Sequence, residues 1–144
     1  GHLSPISQRI FHVGPLGTGM VMKTINNSMV QIYVSGLTEL IPLAKKAGLP
    51  LKTALDILCT GPAGLPVVRD RIPKILGDDD TVGFTNSGTA KDNDVFRKIL
   101  HHFDMNPPML EEFDRQRAFS EKMGLAERDP AEVIRAAYDV SEAI

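Results

Sequence analysis

Apolar residues recur at three- and four-residue steps through most of the chain, with polar residues between them. This is the period of an amphipathic helix rather than the alternation of a strand, so the pattern predicts an all-α fold. The longest periodic segment covers residues 18–47, a helix roughly 45 Å long at ~1.5 Å per residue. Its apolar positions lie on several faces, so we expect it to be the central element and buried on much of its circumference. These positions are Val21, Ile25, Met29, Ile32, Leu37, Leu40, Ile41 and Ala44.

Glycine, proline and aspartate divide the rest of the chain into shorter predicted helices, about six helices in all. Pro42 lies inside the long helix and predicts a kink or a break there. Gly48 is the predicted C-terminal cap of that helix. Residues 3–17 are predicted to form an irregular lead-in, and residues 77–88 a polar loop. The shorter predicted helices cover residues 50–59, 65–76, 90–103, 108–123 and 130–143.

Composition narrows the class of protein. The chain has 144 residues, which fits a single domain. A net charge of -2 provides no positive field for nucleic acid, and no apolar run approaches the ~20 residues of a membrane span. The single cysteine, Cys59, is predicted to be buried and unreactive, which fits a reducing compartment. With no secretion signal at the N-terminus we expect a cytoplasmic protein, and Gly1-His2 is interpreted as the remnant of a cleaved tag.

The first candidate site begins with a glycine-rich turn, Gly14-x-x-Gly17-x-Gly19, which leads to Lys23 and Asn27. A spacing of four places both side chains on one face of the long helix. An ammonium and an amide there can hold a hydroxyl or carbonyl oxygen, as alcohol–ketone interconversion requires. The alternative is that both are solvated polar residues. The glycines lack a preceding strand, so we interpret them as allowing close packing rather than dinucleotide binding.

The second candidate site consists of Phe84 and the pair Lys91-Asp92. The loop before residue 88 lets Phe84 and the following helix start approach a site. Ser87 or Thr89 is the predicted cap of that helix, which would place Asp92 near its positive end. Two readings stay open, a capped and solvated helix start or a lysine beside free amides that binds a phosphate or carboxylate.

A metal site is not expected. The adjacent His101 and His102 diverge around a helix and have no third ligand at suitable spacing. The acidic run Asp78-Asp79-Asp80 lacks the alternating pattern of a helix-loop-helix calcium site.

Several stretches together resemble the C-terminal domain of the β-hydroxyacid dehydrogenases. They are, in order, GPLGTGMVMKTINN, TELIPLAKKAGLPL, GFTNSGTAKDNDVF, MNPPMLEEF and FSEKMGLAERDPAEVI. The resemblance covers residues 10–138 and extends to 3-hydroxyisobutyrate dehydrogenase, tartronate semialdehyde reductase and, more distantly, 6-phosphogluconate dehydrogenase. It implies a helical catalytic and dimerisation domain at residues 3–144.

The resemblance also implies roles for individual residues. Lys23 matches the catalytic lysine, a general acid/base, and Asn27 the substrate-binding asparagine, with Asn26 as an alternative. Phe84, Lys91 and Asp92 match residues close to the cofactor, and Lys91 also contacts substrate. By this resemblance, these positions are the candidate residues of a site that uses NAD or NADP and a small hydroxy acid or its semialdehyde.

The family also carries an N-terminal Rossmann domain, which binds most of the cofactor and is expected to be absent from this chain. The isolated chain is therefore expected to be inactive, and the choice between NAD and NADP stays open because the residues that decide it lie in that domain. The expected partners are that Rossmann domain, a substrate, and further copies in a homodimer or tetramer, with no nucleic acid and no membrane. The alternative function is a non-catalytic helical dimerisation or interaction domain that has lost its nucleotide-binding half.

Overall fold

The computed structural model describes residues 10–140. Within this range the chain forms helices and no strand, which confirms the predicted all-α fold. None of these helices has the length and apolar character needed to cross a bilayer. The helices are α1 (Thr18–Lys46), α2 (Leu51–Thr60), α3 (Pro66–Arg69), α4 (Ile72–Leu76), α5 (Asn86–His102), α6 (Met109–Lys122) and α7 (Ala131–Val140).

The long helix α1 is the central element, as predicted. It packs against α2, α5, α6 and most extensively α7. Side chains from α1, α2, α4 and α7, with one each from α3 and α6, form the core, and burying each large aliphatic one contributes about 1.5–3 kcal/mol. Cys59 is buried among them, as expected. The most deeply buried aliphatic side chains of this core are Leu55, Ile75, Val133 and Ile134.

One side of α1 is not covered within the described chain. Successive residues turn by about 100° around a helix, so positions spaced at three, four and seven residues share a face. Five large apolar residues on one such face are between 47% and 68% exposed. The prediction that α1 is buried on much of its circumference is therefore wrong for this chain alone, because no described element packs there. The residues of this exposed apolar face are Met22, Ile25, Met29, Leu40 and Leu43.

Two residues near the C-terminal end of α1, Pro42 and Gly48, were predicted to shape it. The helix continues through Pro42 to Lys46, so of the two outcomes predicted there, a break does not occur. Proline removes only one backbone hydrogen bond, and Pro42 is buried, so packing holds this turn. Gly48 forms the predicted cap with a φ of 76°. Its amide donates to the Lys45 carbonyl at 3.0 Å, and the Leu49 amide donates to the Ala44 carbonyl at 2.8 Å.

The other predicted helices agree with the structure except at two places. The segment predicted as one helix over 65–76 is two short helices, α3 and α4, since Pro73 interrupts the pattern. The helix predicted over 90–103 begins at Asn86, so the polar loop ends at Thr85. Helices α2 and α6 differ from prediction by one residue at each end, and the predicted end of α7 at residue 143 lies outside the described residues.

Candidate active site

The start of α1 determines where the first candidate residues lie. Gly17 is the N-cap residue with a φ of 97°, and the Thr18 hydroxyl donates to the Pro15 carbonyl at 2.7 Å. A Cβ on Gly17 would meet nothing within 4 Å. The prediction of close packing is thus wrong at Gly17, where glycine is needed for its left-handed backbone. The turn places Lys23 in the second turn of α1 and Asn27 one turn later.

Lys23 is held by two groups on α5. Its Nζ lies 3.4 Å from Asp92 Oδ2 and 5.9 Å from the centroid of the Phe96 ring. Asp92 and Phe96 are four residues apart and so share the side of α5 that faces α1. The Lys23 and Asp92 side chains are 47% and 48% exposed. A pair this exposed contributes about 0–1 kcal/mol to stability, so its main effect is to position an accessible amine.

Asn27 lies beside Lys23 on the same face of α1 and is half-buried. Its Oδ1 accepts a hydrogen bond from Asn26 Nδ2 at 3.2 Å. That bond uses the carbonyl oxygen and leaves the amide hydrogens of Asn27 to donate to a ligand oxygen. The exposed Asn26, the alternative candidate, thus contacts Asn27 directly.

Phe84 lies in the loop between α4 and α5 and is 44% exposed. The Arg71 guanidinium lies over its ring, 5.6 Å from the centroid. Both residues line a small apolar pocket of about 30 Å³ that also includes Gln31. Gln31 follows Asn27 by one helical turn, so the four-residue spacing could have identified it. Nothing in the local sequence pointed to Arg71.

The structure does not bring Lys91 to the same place as Lys23. Lys91 lines a groove between α5 and α6, with Ser87, Asp94 and Arg117. Neighbouring residues on a helix diverge by about 100°, so Lys91 and Asp92 contact different surroundings. Lys91 and Asp92 therefore lie on separate surfaces of α5.

The predicted start of α5 is wrong in its capping residue. Thr85 is the N-cap, and its hydroxyl accepts from the Gly88 amide at 2.9 Å. The next amides are also bonded, Asn86 to the Arg128 carbonyl and Ser87 to the Ala126 carbonyl. Ser87 and Thr89 are not caps, and Asp92 lies beyond the first turn. The amides beside Lys91 are therefore not free, and an anion bound there would be held by the lysine without them.

Hydrogen bonds fix the loop that leads to Phe84. Asp79 Oδ1 accepts from both the hydroxyl, at 2.7 Å, and the backbone amide, at 2.9 Å, of Thr81. These bonds, together with Lys74 at 3.1 Å, lower the pKa of Asp79 to about 2. The Asp79 carboxylate is thus charged at any physiological pH, and its bonds to Thr81 fix a local turn in the loop.

The chain matches one family of NAD-binding enzymes over most of its length. Residues 17–137 match the family model described as NAD-binding of NADP-dependent 3-hydroxyisobutyrate dehydrogenase, and the chain belongs to this family. The resemblance to the C-terminal domain of the β-hydroxyacid dehydrogenases is thereby confirmed, and with it the use of NAD or NADP in the family.

Curated relatives agree with this membership. The chain is 25% identical to glyoxylate/succinic semialdehyde reductase 1 of Arabidopsis thaliana, over 91% of this chain and 45% of that protein. It is 26% identical to 2-(hydroxymethyl)glutarate dehydrogenase of Eubacterium barkeri, over 92% of this chain and 44% of that protein. The chain thus spans less than half the length of these relatives.

A solved structure shows the same fold. The 3-hydroxyisobutyrate dehydrogenase of Mycobacterium tuberculosis, solved with L-serine, matches with a TM-score of 0.77 and 21% identity. The match covers 93% of this chain and 48% of that one.

Proposed function

We propose that residues 3–144 are the helical catalytic and dimerisation domain of an NAD(P)-dependent dehydrogenase. Its reaction interconverts a small β-hydroxy acid and the matching semialdehyde or keto acid. The observation that carries the proposal is the accessible Lys23 amine, held by Asp92 beside the Asn27 amide. Most of the cofactor would bind to a Rossmann domain outside this chain, so the chain alone is proposed to be inactive. The reducing cytoplasm, which suits the thiol of Cys59, is its proposed location.

Each candidate residue has a defined task in this proposal. Lys23 donates a proton to the carbonyl oxygen in the reductive direction and accepts it from the hydroxyl in the oxidative one. Asn27 donates a hydrogen bond to the same oxygen and so fixes the reacting carbon. Hydride-transfer chemistry would be supplied by a nicotinamide cofactor when bound. The exposed side of Phe84 suits a planar ring and would exclude water from it.

Asp92 and Lys91 have different places in the proposal. The Asp92 carboxylate orients Lys23 and, being half exposed, has room for its predicted contact with the cofactor. Lys91 is still a predicted contact of cofactor or substrate. Lys91 lines the groove between α5 and α6. Such a contact would therefore involve a part of the cofactor or substrate that lies over the first turns of α5.

The test supplies this chain with the nucleotide-binding half of one of the two curated relatives. NAD(P)H absorbance is followed with 3-hydroxyisobutyrate, glyoxylate, succinic semialdehyde and 2-(hydroxymethyl)glutarate. Turnover only when both parts are present supports the proposal. Absence of turnover with all four compounds, while the intact relative is active in the same assay, contradicts it.

Replacing Asp92 by asparagine is expected to lower kcat about tenfold, a loss of ~1.4 kcal/mol in transition-state stabilisation, because Lys23 loses its orienting carboxylate. The matched control is Asp94→Asn on the same helix, since Asp94 lies 3.8 Å from Arg117 instead of near Lys23. Steady-state kinetics of the assembled enzyme measures both. Equal effects of the two substitutions would remove Asp92 from the site.

The exposed apolar face of α1 supports a second proposal, self-association into a homodimer or tetramer. The 29-residue helix is about 43 Å long at ~1.5 Å per residue, and uncovered apolar surface of that extent favours a partner subunit. The alternative function, a non-catalytic dimerisation or interaction domain, rests on this same face. It would be favoured by a stable dimer that shows no turnover beside an active nucleotide-binding half.

Met29→Asp is expected to raise the dimer dissociation constant by at least about tenfold, because a charge would be buried against apolar side chains. Ile57→Asp on α2 is the control, since Ile57 is 62% exposed and Met29 61%. Sedimentation equilibrium over a concentration series measures the constants. A wild-type chain that stays monomeric, or equal loss in both variants, would contradict the use of this face.

A further inference from the structure

Asp129 is a fully buried acid that lies just before α7. Its Oδ2 accepts from the Gly83 amide at 3.1 Å, and its Oδ1 accepts from the Ala131 amide at 3.0 Å. The Nε of Arg71 lies 3.7 Å from the same Oδ1. A buried carboxylate costs folding free energy unless such partners satisfy it, so these three groups stabilise the charge of Asp129 inside the fold.

One of these bonds fixes the backbone immediately before Phe84. A Cβ added to Gly83 would lie 3.4 Å from Asp129 Oδ2, which is tighter than most side-chain contacts. Glycine therefore allows the amide to reach the carboxylate. The bond ties an otherwise exposed loop to the start of α7, far away in the sequence.

Arg71 connects the same carboxylate to the ring of Phe84. Its Nη1 donates to the Val67 carbonyl at 3.1 Å, and its Nε faces Asp129. Two groups thus hold the guanidinium, whose Cζ lies 5.6 Å from the centroid of the Phe84 ring. Phe84 lies against Arg71 on one side and is still 44% exposed.

We propose that Arg71 and Asp129 are positioning residues that fix the orientation of the Phe84 ring. Asp129 fixes the backbone at Gly83, and Arg71 fixes the ring through a cation–π contact. That the fixed ring contacts the nicotinamide and excludes water from it rests on the proposed function. The positioning itself does not require a cofactor.

The experiment uses the absence of tryptophan from the sequence. Phe84→Trp gives a single tryptophan, which is excited selectively over the two tyrosines, and acrylamide quenching reports how freely that ring is exposed. Adding Arg71→Gln is expected to raise the quenching constant about twofold, since a cation–π contact of this kind shifts a local equilibrium by a few-fold. Arg71→Lys, which keeps the cation, should restore part of the protection. An unchanged quenching constant with Arg71→Gln would overturn the proposal.

A second reporter separates a local effect from a general loosening of the fold. Phe103→Trp places the fluorophore at the end of α5, at a residue 57% exposed. Its quenching should not respond to Arg71→Gln. A rise at both reporters would assign Arg71 to overall stability and overturn the proposal.

Asp129→Asn tests the proposed role of Asp129 in positioning Phe84. It is expected to raise quenching of the Phe84→Trp reporter at least as much as Arg71→Gln does. Asp78→Asn, at an exposed acid of the same loop, is the control. If circular dichroism shows that Asp129→Asn does not fold, Gly83→Ala in the reporter background replaces it, because it crowds the same carboxylate. No rise in quenching in the variant used would remove Asp129 from the proposal.

Titration with NADH distinguishes this inference from the proposed function. Reduced nicotinamide quenches a nearby tryptophan by energy transfer, so NADH added with the nucleotide-binding half should quench the Phe84→Trp reporter. If acrylamide shows the expected changes but NADH does not quench, Arg71 and Asp129 still position Phe84. It is then the proposed cofactor contact that fails.

Discussion

Lys23→Met is expected to lower kcat of the assembled enzyme by about 10²–10⁴-fold, the usual contribution of a general acid/base. The free energy of unfolding should change by less than ~1 kcal/mol, because the lysine is 47% exposed and its ion pair with Asp92 is weak. Steady-state kinetics and urea denaturation measure the two quantities separately. A large kinetic effect with a small effect on stability is the pattern that a catalytic residue gives.

Lys46→Met on the same helix is the matched control for that experiment. Lys46 is exposed in the last turn of α1, away from Asp92 and Asn27. Its substitution removes the same charge and should leave kcat within about twofold, as expected of a surface change. Wild-type turnover in Lys23→Met would refute the assignment of the lysine.

Phe96→Ala is expected to destabilise the fold by about 3–5 kcal/mol, the usual cost of removing a buried phenylalanine. The Phe96 ring is 1% exposed and lies beneath the Lys23 amine. Urea denaturation followed by circular dichroism measures the loss. Assembled enzyme that remains folded should also lose turnover, since Lys23 would lose one of its two supports.

The comparison for Phe96 comes from the other end of α5. Phe103 is 57% exposed, and Phe103→Ala should change stability by less than ~0.5 kcal/mol. Similar losses in both variants would mean that Phe96 contributes little as a buried residue.

Local patterns were sufficient for most of the fold. The long apolar period defined α1, and Gly48 marked its end because only a left-handed residue completes that cap. The start of α5 was missed because Thr85, Ser87 and Thr89 can all cap a helix. Tertiary contacts favour the first of them: the Asn86 amide and side chain bond to carbonyls of the segment before α7.

The candidate site was predictable only along α1. Lys23 and Asn27 share a face because their spacing is fixed by helical geometry. The partners of the site come from other parts of the chain, where the sequence gives no distance information. Asp92 was predicted as a cofactor contact, and its pairing with Lys23 became visible only when α5 was packed against α1. The role of Asp129 likewise depends on a loop far from it in the sequence.

The two surfaces of α1 have no residue in common. Lys23, Asn27 and Gln31 follow one side of the helix, and the exposed apolar face follows another. In the two proposals made for α1, a single uninterrupted helix therefore carries the reacting groups and the association surface on separate sets of positions. Substitutions that change the association surface would then leave the reacting groups unaltered, so specificity of assembly and specificity of substrate could diverge independently.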